Sequence, residues 1–201
     1  MEDDSPPPSP SQLLLMAIVV EGGLGLIAVG LGAWLDRPPW EMIQWNWAGA
    51  AWGAAAGLPL LVGLLGVVWL PLGPLVRLVR VVDELLVPLF RDCRLVELAL
   101  ISALAGLGEE MLFRGVVQVT IAEGFGGTPG TWIGIAAAAI LFGLLHPITT
   151  SYAVLAGLVG LYLGWLFAVS GNLLAPIVAH GVYDFFALVY LVRLKNPNSR
   201  D

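Results

Sequence analysis

The chain is poor in charge and in cysteine, and each shortage excludes something. Only 12% of its residues are Asp, Glu, Lys or Arg, where a soluble globular domain carries about 25%. With 58% hydrophobic residues, a mean hydropathy of +0.87 and apolar runs of about twenty residues, that shortage excludes an ordinary water-soluble fold. The formal charge of −6, with no basic patch, argues against a nucleic-acid partner. The single cysteine, Cys93, excludes a disulfide within the chain and a cysteine-based zinc site, and reads as a bystander near a helix end. The expected class is therefore an all-α, polytopic membrane protein, in contact with membrane lipid.

The chain divides into about six apolar spans and one amphipathic segment. Residues 1–12, acidic and rich in Pro and Ser, are expected to be a disordered tail without the basic start of a signal peptide. The first two spans fall within 13–74, from Leu13 to Leu35 and from Ala48 to Leu70. Trp40, Trp45 and Trp47 between them suit an interfacial aromatic belt. In 75–94, Arg77, Arg80, Asp83, Glu84, Arg91 and Arg94 alternate with Leu and Val at near-helical spacing, which predicts an interfacial amphipathic connector. Residues 95–194 hold four more spans: Leu95 to Ile121, Thr131 to His146, Ser151 to Val169 and Asn172 to Leu194. The segment 124–130 is expected to be a turn, and 195–201 a polar tail.

The distribution of basic residues predicts the orientation. Arg77, Arg80, Arg91, Arg94, Arg193, Lys195 and Arg200 fall on one side and Arg37 alone on the other. Under the positive-inside rule both termini are cytoplasmic, as an even number of spans requires. The expected location is a cell (inner) membrane.

What charge there is gathers in the middle of an apolar run. Gly108-Glu109-Glu110-Met111-Leu112-Phe113-Arg114-Gly115 places two carboxylates and a guanidinium inside the third span. An ionisable residue at that depth costs several kcal/mol and marks function by default. Glu110 and Arg114 are i,i+4 neighbours and can pair, whereas Glu109 lies about 100° round the helix and is left to face a cavity. Both histidines also fall in apolar spans. Phe142/His146 and His180/Asp184 are again i,i+4, so each pair shares a helix face. Together Glu109, Glu110, His146, His180 and Asp184 supply groups suited to activating water or binding a divalent metal.

The motifs E-E-x-x-x-R, F-x-x-x-H and H-x-x-x-N/D, in that order on successive spans, resemble those of the CPBP (CAAX protease and bacteriocin-processing, or Abi) family of intramembrane endopeptidases. They stand here as Glu109-Glu110-Met-Leu-Phe-Arg114, Phe142-Gly-Leu-Leu-His146 and His180-Gly-Val-Tyr-Asp184. The resemblance covers roughly 95–190, and the first two spans carry no matching motif. It implies hydrolysis of a peptide bond in a membrane-associated protein or peptide, including prenylated CAAX-type substrates. It implies Glu109 as general base, His146 as its assistant, and Glu110 with Arg114 orienting the first carboxylate. His180 and Asp184 would stabilise the oxyanion or, with His146, bind a divalent metal such as zinc. Asp184 stands where many relatives have Asn, and an ionised Asp ligates metal or orients His180 but cannot donate to an oxyanion. No H-E-x-x-H occurs, so this is not a zincin helix.

Two other classes use the same residues: a transport or proton-relay protein, and a catalytically idle scaffold of the same fold. A transport path needs a continuous polar track, and hydrolysis needs a clustered site. A shared site makes one geometric demand. Glu109 lies about 20 Å along its span, while His146 closes a short one. The two meet only if the helices tilt or if the polar cavity opens toward the cytoplasm, and the second is expected: a water-filled cleft entered from the cytoplasmic half. The Gly-rich spans suit internal packing and dimerisation equally, so the oligomeric state is open.

Overall fold

The computed structural model describes residues 8–70 and 72–195. Its described residues form helices and turns with no strand. Helix α1, Pro10–Trp34, starts earlier than the composition suggested, which corrects the boundary of the expected tail. The reason is a capping box. Ser9 Oγ accepts from the Gln12 N–H at 3.4 Å, Gln12 Oε1 accepts from the Ser9 N–H at 2.7 Å, and Pro10 opens the helix. Residues 1–7 of that tail, and 196–201 of the C-terminal one, lie outside the described residues.

A short 3₁₀ turn, Pro39–Met42, leads into α2, Trp47–Trp69. The amphipathic segment forms α3, Gly73–Val81, which continues through a π-helical turn, Val82–Leu86, to Phe90. It buries Leu78 and leaves Arg77 and Arg80 exposed, as an interfacial helix requires. Helix α4 begins as Leu95–Glu110, widens into a π-helical stretch, Met111–Gln118, and ends as Val119–Phe125. The expected turn at 124–130 narrows to Gly126 and Gly127, with φ of 71° and 59°. Both values are comfortable only for glycine. Helices α5, Gly127–Leu144, α6, Thr150–Ser170, and α7, Leu174–Leu194, complete the chain.

Helices α1, α2, α5, α6 and α7 are long and apolar enough to cross a membrane. Helix α4 is long enough, at about 45 Å, but Glu97, Glu109, Glu110, Arg114 and Glu123 interrupt its apolar run. The surface fits a lipid solvent: Leu26, Val62, Trp47 and Leu144 are exposed, while Arg114 and Glu110 are fully buried.

Hydrogen bonds at the helix ends sort the connections onto two faces. On one, the Asn172 side chain accepts from the Gln44 N–H at 3.0 Å and donates to the Gln44 carbonyl at 2.8 Å, and Arg37 pairs with Glu123. On the other, Lys195 holds Asp83 at 2.6 Å, Arg193 donates to the Arg91 and Cys93 carbonyls, and Trp69 donates to Tyr190 Oη at 2.9 Å. Cys93 is fully buried here beside Leu13 and Leu98.

Helix α4 lies at the centre, against α1, α5 and α7, while α7 also packs on α2 and α6. Lipid offers no hydrophobic drive for helix association, so close backbone contact does that work. At Gly106 a Cβ would lie 2.8 Å from the Ile177 carbonyl and 2.9 Å from the Gly181 amide nitrogen. Gly106→Val should therefore force α4 and α7 apart and cost about 1–3 kcal/mol. Gly63→Ala, where nothing lies within 4 Å, should stay within about 0.5 kcal/mol in the same unfolding titration in micelles.

Candidate active site

The site forms where three helices meet α4 at the level of Glu109 and Glu110. Both glutamates are buried in the last α-helical turn before the π-helical stretch, and such widened turns recur at functional positions. The i,i+4 pairing read from the sequence is present: Arg114 Nη1 donates to Glu110 Oε1 at 2.7 Å, with both side chains fully buried. Arg114 Nη2 donates to the Gly160 carbonyl on α6 at 3.0 Å. One turn on, Gln118 Nε2 donates to the Gly164 carbonyl at 3.0 Å. Two polar groups four apart on α4 thus bond two glycine carbonyls four apart on α6, and these bonds hold the helices in register. The guanidinium also lies 4.8 Å from the centre of the Phe142 ring, a favourable cation–π distance.

His180 comes from α7, and the contact at Gly106 brings it within reach. Its Nδ1 lies 2.8 Å from Glu110 Oε1. A carboxylate that already accepts from Arg114 can only accept again, so Nδ1 carries the proton. The Nε2 edge then faces Asp184 Oδ2 at 3.4 Å and Glu109 Oε2 at 3.8 Å. The resemblance had Glu110 orienting Glu109. In the structure its direct contacts are Arg114 and His180.

His146 follows the C-terminal end of α5. Its Nδ1 lies 2.7 Å from the Phe142 carbonyl, which can only accept, so Nδ1–H is the donor and a neutral ring has its lone pair at Nε2. That lone pair faces Glu109 Oε1 at 3.9 Å. The Phe142 ring lies against His146, with centroids 4.6 Å apart, and fixes its plane. The distance of 3.9 Å meets the demand that the two residues share a site. It is met because α5 is short: 18 residues rise about 27 Å, leaving the α5–α6 connection level with Glu109, about 20 Å below the start of α4. The side chains of Glu109, His146 and Asp184 are 11%, 25% and 31% exposed, so the cluster opens on the His146 and Asp184 side.

All six residues singled out in the sequence, Glu109, Glu110, Arg114, His146, His180 and Asp184, fall in one contact network. The expected ligand set fits less well. Among the described residues no three His, Cys, Asp or Glu side chains are arranged to hold a metal ion, and His146, His180 and Asp184 do not form one as placed. Sequence reasoning also left out Glu21, an acidic residue of α1. Its charge acts on Glu109, and those of His180 and Asp184 act on it. The available signal was an acidic residue in mid-span.

Residues 92–186 match the family model described as type II CAAX prenyl endopeptidase Rce1-like. No curated protein and no solved structure matches the chain. The match spans α4 to most of α7 and contains all six clustered residues, whereas α1, α2 and α3 lie outside it. It supports a protease role in an integral membrane protein. Residues 92–186 form an Rce1-like domain, matching the CPBP/CAAX protease family.

Proposed function

We propose that the chain is an intramembrane endopeptidase that hydrolyses a peptide bond near the C-terminus of a membrane-associated protein or peptide, the CAAX-type prenylated class included, with Glu109 activating water. The observation that carries this is the placement of Glu109 between two imidazoles, with Oε1 at 3.9 Å from His146 Nε2 and Oε2 at 3.8 Å from His180 Nε2. Both gaps exceed a direct hydrogen bond, and a water at about 2.8 Å from Glu109 Oε1 and His146 Nε2 fits beside them. That water gives one proton to Glu109 as its oxygen attacks the scissile carbonyl, while His146 Nε2 accepts from the other. Glu109 then returns its proton to the leaving amine. His180 acts as an imidazolium: Nδ1–H donates to Glu110, Nε2–H turns toward the developing oxyanion, and Asp184 orients that edge. No step is routed through a metal.

The linked cluster of six side chains favours hydrolysis over the extended file of groups that transport needs. With both termini cytoplasmic, the opening beside His146 and Asp184 faces the cytoplasmic half of an inner membrane, where a C-terminal segment of substrate enters.

The test is cleavage of a prenylated CAAX peptide by the full chain in proteoliposomes, with the unprenylated peptide alongside. His146→Ala should lower kcat by about 10²-fold with KM little changed, because it removes an acceptor on the water and not a substrate contact. Full cleavage by that variant, or no cleavage of either peptide by the parent, would count against the reading.

A further inference from the structure

The proposed chemistry leaves one acidic group of the bundle core unused. Glu21 sits on α1, outside the segment that carries the family match. Gly108, the residue before Glu109, is buried against it: a Cβ at that position would collide with the Glu21 carbonyl oxygen. The α1 and α4 backbones therefore touch at the level of the site. The Glu21 side chain is half-buried, and its Oε2 is one of the buried atoms that no donor from the described residues reaches. Glu109 Oε2 is another. The two carboxyl groups, with His180 and Asp184, lie within reach of one another's charge.

A buried carboxyl oxygen without a donor is costly, and one water between two such groups on touching helices serves both. Of the donors on the surrounding helices, Arg114 Nη1 and Nη2 go to Glu110 and Gly160, Gln118 Nε2 to Gly164, and His180 Nδ1 to Glu110, while Ser102 Oγ and Arg114 Nε reach neither carboxyl. A water with one hydrogen directed at each carboxyl satisfies both. We propose that Glu21 is a positioning residue for Glu109, the two being joined through a water that donates to Oε2 of each. The bond ties down Oε2 of Glu109 and leaves Oε1 directed at His146, where the reacting water belongs. A segment outside the Rce1-like domain thereby completes the base. The inference rests on the endopeptidase reading for its catalytic consequence, but not for the coupling itself.

Two measurements on the full chain in proteoliposomes or micelles test it. In the peptide assay Glu21→Gln, whose amide oxygen still accepts from the water, should keep kcat within about threefold. Glu21→Met, similar in size but without that acceptor, should lower kcat by about tenfold or more at unchanged KM. Equal kcat for Gln and Met, high or low, would overturn the proposal, since a packing role or none would then explain Glu21. The second measurement needs no activity: melting midpoints of Glu21→Gln, Glu109→Gln and the double variant. Joined carboxyls give shifts that fail to add, and unconnected ones give shifts that do. If the parent cleaves no peptide, the hydrolytic reading fails alone, and additive or non-additive shifts still decide whether Glu21 and Glu109 are joined.

Discussion

Glu109→Gln should abolish peptide cleavage, with kcat at least about 10³-fold below the parent and KM within about threefold. The size follows from the group's position. Glutamine keeps the volume and an acceptor oxygen but cannot take a proton from water, so the variant loses the whole of general-base catalysis, about 10²–10⁴-fold. It also loses the return of that proton to the leaving amine. KM should hold because Glu109 faces His146 and His180 and is 11% exposed, which leaves it little surface for ground-state substrate contact. The same substitution should leave the melting midpoint unchanged or raise it. Glu109 is buried and shares its surroundings with the carboxyl groups of Glu21, Glu110 and Asp184, so removing its charge relieves like-charge repulsion. Retention of more than about a tenth of the parent kcat in proteoliposomes would remove Glu109 from the role of base.

Arg114→Leu should unfold the core before it affects chemistry. Arg114 is fully buried and joins three elements: Glu110 on its own helix at 2.7 Å, the Gly160 carbonyl on α6 at 3.0 Å, and the Phe142 face on α5 at 4.8 Å. Removing Arg114 leaves Glu110 fully buried with His180 as its remaining contact, at a cost of about 3–5 kcal/mol. Arg114→Lys should recover only part, since one ammonium cannot meet Glu110 and Gly160 with the geometry of a fork. The discriminating variant is the double one, Glu110→Met with Arg114→Met. Replacing the pair by apolar groups should bring the unfolding midpoint back toward that of the parent. Activity should stay lost, because His180 Nδ1 would have no carboxylate to hold it. A double variant as unstable as Arg114→Leu would mean that the Gly160 and Phe142 contacts, rather than the ion pair, carry the stability.

Several elements could be read along the chain because they are decided within one helix. The pairing of Glu110 with Arg114 and the shared face of His180 and Asp184 follow from i,i+4 geometry, which any α-helix imposes. The apolar spans follow from composition, and the start of α1 at Pro10 was encoded in Ser9 and Gln12, although the polar composition of the tail hid it.

The links between helices were not legible in this way. Glu110 meets His180 because α4 and α7 touch at Gly106, and Glu21 reaches the level of Glu109 because α1 and α4 touch at Gly108. His146 reaches Glu109 because α5 stops short of the membrane face from which α4 starts. The stretch from Gly108 to Gly115 by itself therefore determined that charge would be buried and which cation would neutralise part of it. Only the tertiary structure decided that Glu110 holds a histidine, that Glu109 lies between two, and that α1 supplies a further carboxylate. In a bilayer every helix is apolar on the outside, so hydrophobic pattern carries no information about which faces meet. That choice falls to the few small residues where backbones approach and to the polar groups that must find partners away from water.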